Sequence, residues 1–205
     1  MGTSSAVVKR ALLDTARRLF ASRGFEAVTL RLLAREVGVN PALIHYYFGD
    51  KQGLYEAMLQ DTLAPLFARL DALLPADAPA GDGIRAFLAN YMRLLAANPW
   101  LPPLVMREVL EEGGRFRERF IRQFASRGGG LLVRLIEREQ QAGRLRRDLD
   151  PTLAALSLVS LAVFPFLALP VTSRVFGMAV NEVFIERLVA HTERLFLVGV
   201  AGNAS

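Results

Sequence analysis

Apolar residues recur at intervals of three and four along nearly the whole chain, and no stretch alternates at period two for long, so the pattern predicts helices throughout. Glycine and proline cut the pattern into pieces. A first helix, capped by Ser4 or Ser5, buries Val8, Leu12, Ala16, Leu19 and Phe20 and stops at Gly24. A second starts at Thr29, turns Leu33, Ala34 and Val37 inward and stops at Gly38. A third takes Asn40 as its cap and Pro41 as its first residue, where the missing N–H costs nothing, and ends near Phe48. Asp50 caps a long fourth helix over about 51–74. The stretch Pro75 to Gly83 is a loop by composition. Five further helical segments are expected near 84–97, 102–112, 115–142, 151–168 and 179–199, the third with a possible break at Gly128-Gly129-Gly130.

This layout predicts an all-α fold: an N-terminal three-helix helix-turn-helix domain over 1–51 and a C-terminal helical domain over 52–205. Charge divides the chain at the same place. Residues 1–51 hold eight basic and four acidic groups, whereas the other 154 residues hold 17 and 16. A basic end on a nearly neutral body points to a polyanion as the partner of that end.

The stretch Thr29 to Lys51 narrows that partner. Two short helices joined by Gly38-Val39-Asn40 are the anatomy of a helix-turn-helix: Gly38 permits the tight turn, Val39 plugs the angle, and Ala34 is small where the second helix crosses. On the third helix Ile44, Tyr47 and Phe48 share the inward face. Ala42, Leu43, His45 and Tyr46 are left facing out, an odd set for a solvated helix but a sensible one for a major groove. Leu43 and Ala42 can meet thymine methyls, and His45 and Tyr46 can donate to phosphates or base edges. Arg31 and Thr29 sit at a helix N-terminus, and Lys51 at another, where backbone amides favour phosphate.

Residues 8–51 resemble the DNA-binding domain of the TetR/AcrR family of bacterial regulators. The resemblance rests on Arg23-Gly24-Phe25, Thr29, Ala34, Gly38-Val39, Ile44, Tyr47-Phe48 and Lys51. It implies that the third helix reads an operator and that Thr29, Asn40, Pro41, Ala42, Leu43, His45, Tyr46 and Lys51 are contacts. Pro41 and Leu43 depart from the residues common in that family, so no operator sequence is carried over. The resemblance also implies a homodimer with a small-molecule effector pocket in the C-terminal domain. The leading expectation is a cytoplasmic repressor that this effector releases from a palindromic double-stranded operator.

The C-terminal residues support both ideas independently. A short recognition helix gives too little specificity alone, while two copies read a palindrome. The segment 151–168 is apolar nearly all round and needs cover on more than one face. It and the last helix are the expected dimer surface, with Leu156, Val159, Leu188 and Leu195 as candidates. The expected pocket draws on Phe67, Met92, Trp100, Met106, Phe120, Phe124 and Phe164, a lining suited to a hydrophobic or aromatic ligand. Arg107 and Glu108 lie near these in sequence and read as surface or interhelical ion pairs rather than as pocket residues.

Catalysis finds no foothold. The chain has two histidines, His45 and His191, and no cysteine, and it lacks nucleophile-elbow, zinc-protease and phosphate-loop motifs. No enzyme, metal or cofactor is expected. Two other classes stay open. The uncharged stretch 153–171 is long enough to span a bilayer, although Pro165 and Pro170 interrupt it and no aromatic belt flanks it. The chain could equally be a ligand-binding protein whose helix-turn-helix no longer binds DNA. The first residues lack the uninterrupted apolar core of a signal peptide, so none is expected.

Overall fold

The computed structural model describes residues 2–72, 83–111 and 117–200. Among them every regular element is helical. The chain forms two compact units, one of Met1–Pro65 with Pro103–Arg115, the other of Leu66–Pro102 with Phe116–Ser205.

The first unit is built on α1 (Gly2–Arg23), α2 (Leu30–Val37), α3 (Pro41–Phe48) and the first part of α4 (Lys51–Ala72). It extends past residue 51 because Leu54, Tyr55, Met58, Leu59 and Leu63 recur at helical spacing and are all buried. Phe20, Phe25 and Tyr55 form its aromatic centre. Phe20 stacks on Phe25 at 5.6 Å between centroids, and Tyr55 meets both edge-on at 5.2 and 5.4 Å. Each such pair adds about 1 kcal/mol beyond the area it buries. Arg17 links α1 to α4, bonding to Asp14, to Asp61 and, at 3.3 Å, to the Thr62 hydroxyl. That hydroxyl is itself buried and donates to the Met58 carbonyl at 2.9 Å.

Burial pushes the Tyr55 phenol well above the ordinary tyrosine range, helped by the Glu108 carboxylate and opposed by Arg107. In the unfolded chain the same phenol ionises near pH 10. The folded unit therefore holds this proton more tightly than the unfolded chain. The contribution is intact below about pH 10 and is lost progressively above it. We expect alkaline unfolding in which tyrosinate absorbance at 295 nm rises together with loss of helicity. Ionisation of Tyr55 at pH 10 with the helix content intact would contradict its buried state.

The segment 103–115 joins the first unit through α6 (Leu101–Val105) and the π-helical turn Met106–Leu110 that continues it. Arg107 donates from Nη2 to the Phe20 carbonyl at 3.1 Å and from Nε to Glu108 Oε1 at 3.0 Å. The same carboxylate oxygen accepts from the Phe25 backbone N–H at 3.3 Å. The pair thus clasps the end of α1 and the turn after it. Arg107 and Glu108 are indeed ion-paired, but to each other and onto this clasp.

In the second unit α5 (Gly83–Ala97) packs against α11 (Glu182–Val200), and α8 (Ser126–Gln141) against α9 (Pro151–Leu167). Phe87, Leu88, Met92, Leu135, Ile136, Leu158 and Ala162 are its deepest residues. Two ion pairs tie α5 to α11, Arg85–Glu193 at 2.5 Å and Arg93–Glu182 at 2.9 Å. The helix preceding α8 runs as α7 (Arg117–Phe120) and a π-helical turn over Ile121–Ala125. The irregularity expected at Gly128-Gly129-Gly130 therefore falls earlier, and α8 passes through the three glycines unbroken.

Asp150 caps α9, its carboxylate accepting from the N–H groups of Thr152 and Leu153 at 2.7 and 3.1 Å. Pro165 stands inside α9 without ending it, and the break comes at Ala168. An additional helix, α10 (Leu169–Phe176), follows where the sequence pattern suggested none, with Pro170 in its first turn. Among the described residues no single helix is long and apolar enough to cross a membrane. The pair α9 and α10 reaches that length only across a bend of 69°.

Candidate nucleic-acid interface

The interface is assembled from three caps and one turn. Thr29 Oγ1 accepts from the Leu32 N–H at 3.1 Å and starts α2. Gly38 ends it in the left-handed region at φ 75, which lets the Val39 N–H reach the Ala34 carbonyl at 2.9 Å. Asn40 Oδ1 then accepts from the Ala42 N–H at 2.9 Å, and α3 begins on Pro41. Three residues thus separate the helices, and Leu33, Ala34 and Ile44 bury the angle between them. The turn leaving α3 is equally constrained. The Gly49 N–H donates to the His45 carbonyl at 2.9 Å, and Asp50 Oδ1 accepts from the Gly53 N–H at 2.7 Å.

The outward face of α3 is as the sequence pattern expects, with one adjustment. Pro41, Ala42, His45 and Tyr46 are exposed, Tyr46 by 80%, while Leu43 is only half-exposed. Tyr46 rests edge-on against Tyr47 at 5.1 Å, and the Tyr47 hydroxyl is held 2.9 Å from Ser5 Oγ of α1. That bracing fixes the direction in which Tyr46 projects.

The hydrogen-bonding polarity of this face is uniform except at one residue. Thr29 and Asn40 use their oxygens inward as caps, so the Thr29 O–H and the Asn40 amide N–H groups stay available as donors. Lys51 donates to the Phe25 carbonyl at 2.9 Å and lies 4.2 Å over the Phe25 ring, with two of its ammonium hydrogens left. Its ammonium is therefore a structural tie as well as a candidate phosphate contact. Arg31 is exposed on α2 and adds further donors. Arg18, by contrast, is held by Glu36 at 2.7 Å and keeps that carboxyl below the usual range. Donors at two helix N-termini suit phosphate. His45 is the exception, because its Nδ1 faces the Gly49 carbonyl at 2.6 Å.

A family model described as bacterial regulatory proteins, tetR family, matches residues 12–58, and one described as tetracyclin repressor-like, C-terminal domain, matches residues 81–193. The chain belongs to the TetR family. It is 32% identical over 151 residues to the transcriptional repressor AcnR of Corynebacterium diphtheriae, covering 71% of this chain and 72% of that one. The fold is shared with FadR of Bacillus subtilis, solved with stearoyl-CoA, at TM-score 0.74 and 16% identity, covering 93% and 98% of the two chains. It is shared too with SmeT, solved with triclosan, at TM-score 0.77 and 15% identity, covering 97% and 93%. The protein is thus a DNA-binding transcription regulator of the TetR family and not an enzyme.

The candidate pocket residues of the second unit are dispersed. Met92 is wholly buried in the core, whereas Trp100 and Phe120 are half-buried. Phe164 is 64% exposed on α9, so within one chain it points to solvent and lines no interior cavity. Met106, at 37% exposure, belongs to the first unit. The side chains of Phe67 and Phe124 lie outside the described residues. The structure instead shows an open groove of about 540 Å³ between the end of α10 and α11, lined among others by Phe176, Met178, Phe184, Leu188 and Arg187. Of the candidate dimer residues, Leu156 and Leu195 are exposed, Val159 is half-buried, and Leu188 lies in this groove.

Proposed function

We propose that this regulator is a homodimeric repressor whose two α3 helices read a palindromic operator and which a small hydrophobic or aromatic ligand releases. The observation that carries the dimer is the exposed apolar surface of α9, α10 and α11. Leu156, Phe164, Val175, Phe176, Val183 and Leu195 are each more than half exposed. Large apolar side chains left exposed on three consecutive helices suit an association surface, and a two-fold axis would bury the same residues on both copies. Candidate DNA contacts are Thr29, Arg31, Asn40, Pro41, Ala42, Leu43, His45, Tyr46 and Lys51.

The ligand reading draws on the apolar second unit and on the neighbours solved with stearoyl-CoA and with triclosan. The release mechanism draws on chain connectivity. The chain leaves the first unit at Pro65 inside α4 and re-enters it at Pro103. A ligand bound in the second unit can therefore act on the reading head through α4 and α6, provided it prefers the DNA-incompetent state.

Selection of random duplexes by the purified protein tests the reading directly. The expected result is one palindrome whose half-sites lie about one helical turn apart. Enrichment without sequence preference would overturn it. A hydrophobic ligand that binds tightly yet leaves operator affinity unchanged would overturn the switch alone.

A further inference from the structure

We infer that His45 discriminates amino from keto bases: it reads the exocyclic amino group of an adenine or a cytosine in the major groove, and it makes no phosphate contact. The inference rests on the operator-reading role of α3. A carbonyl oxygen can only accept, so the 2.6 Å contact from His45 Nδ1 to the Gly49 carbonyl requires the proton on Nδ1. In the neutral ring the other nitrogen, Nε2, then carries a lone pair and no hydrogen. His45 is exposed on the outward face of α3, next to Tyr46. The side chain thus offers DNA an acceptor. This narrows the sequence-based expectation that His45 donates.

The neighbours sharpen the assignment. Thr29, Asn40, Arg31 and Lys51 all offer donors, which phosphate oxygens accept. An acceptor has no use at a phosphate, where two lone-pair atoms would face each other. Its partners in the major groove are the N4 amino group of cytosine and the N6 amino group of adenine. Guanine O6 and thymine O4 present acceptors at the corresponding edge and are repelled. Every base pair carries one amino group in this groove, so the discrimination is by strand: A or C where His45 points, never G or T. The lock on Nδ1 is local, four residues along the same chain. It is therefore present before DNA arrives, and no tautomer change precedes binding.

The test is selection of random duplexes at pH 8 by the wild-type chain and by His45→Ala and His45→Arg. We expect one position per half-site to require A or C with the wild type, to lose its preference in His45→Ala, and to turn to G in His45→Arg. In the selected wild-type site, replacing that base by its analogue without the amino group (purine for adenine, 2-pyrimidinone for cytosine) should weaken wild-type binding about fivefold. It should leave His45→Ala binding unchanged. If the position that responds to His45 requires G or T, or if none responds, the inference is wrong while the operator reading survives. If the wild type selects no site, the operator reading falls first. Should His45→Ala fail to fold, the analogue experiment on the wild type decides alone.

Discussion

Gly53→Ala will lower the stability of the first unit by about 2 kcal/mol and weaken operator binding more than tenfold. A Cβ at this position would stand 2.0 Å from the Phe48 carbonyl oxygen and 3.2 Å from its carbon. The obstacle is backbone, so no rotamer relieves it. The same oxygen accepts the Asp50 N–H at 3.0 Å, and the Gly53 N–H is held by Asp50 at 2.7 Å. Either the end of α3 or the first turn of α4 must therefore move. Alanine's better helix propensity works in the opposite direction by about 1 kcal/mol. The overlap outweighs it, because a methyl group cannot share space with a carbonyl. α3 ends at Phe48, so a shift there also moves His45 and Tyr46, the side chains proposed to meet the groove. Gly129→Ala in α8 is the matched control. Nothing stands within 4 Å of its Cβ, so it should stabilise the chain by a few tenths of a kcal/mol or more. Urea unfolding and operator titration on both variants settle the matter. Equal stability of Gly53→Ala and wild type would show that the α3–α4 turn is loose.

Gly53 also shows where the sequence was legible and where it was not. The caps at Thr29, Asn40 and Asp50 and the left-handed Gly38 follow from local chemistry, and so do the bounds of α2 and α3. Helix capping is decided within four residues. The Gly53 requirement depends on how sharply α4 leaves α3, which no periodicity encodes, although a glycine in a helix's first turn was a visible hint. The inward and outward sides of α3 were legible from spacing, but the direction of the His45 proton depends on a single carbonyl at Gly49. The extent of the first unit was less legible still. Residues 103–115 join it from a distance of some forty residues, through a clasp whose partners are backbone atoms of Phe20 and Phe25 and so carry no side-chain signature. Aromatic and sulfur-bearing side chains serve core, pocket and exposed surface alike, so residue type alone does not separate Met92, which lies in the core, from Phe164, which faces solvent.

Glu108→Ala will cost the first unit about 1–3 kcal/mol, the second large effect we expect. Glu108 is 9% exposed, and its Oε1 takes both the Phe25 N–H and the Arg107 guanidinium. Removing the carboxylate takes this acceptor from the Phe25 amide and leaves Arg107 without its counter-charge beside the Phe20 carbonyl. The Arg107 side chain is 40% exposed and stays in contact with water, so most of the cost comes from the hydrogen bonds lost at the buried Glu108 carboxylate and little from the charge left behind. Glu108→Gln keeps an oxygen for the Phe25 N–H and loses only the charge, so it should recover part of the stability. The two variants also have a readout that a generic packing defect would not give. The Glu108 carboxylate is one of the groups that raise the Tyr55 phenol, and Arg107 is the group that lowers it. Both substitutions should therefore move the Tyr55 titration, followed at 295 nm, towards the ordinary tyrosine value while burial still holds it above that value. An unchanged Tyr55 titration in a destabilised Glu108→Ala would mean that the clasp has opened and that the carboxylate does not sit against the aromatic centre. The consequence for regulation lies in the position of the clasp. It fastens the returning segment of the chain to the end of α1 and to the Phe25 carbonyl's neighbourhood, where Lys51 ties in the start of α4. Loosening it frees the mount of the recognition helix, so operator affinity in the ligand-free protein should fall in step with stability.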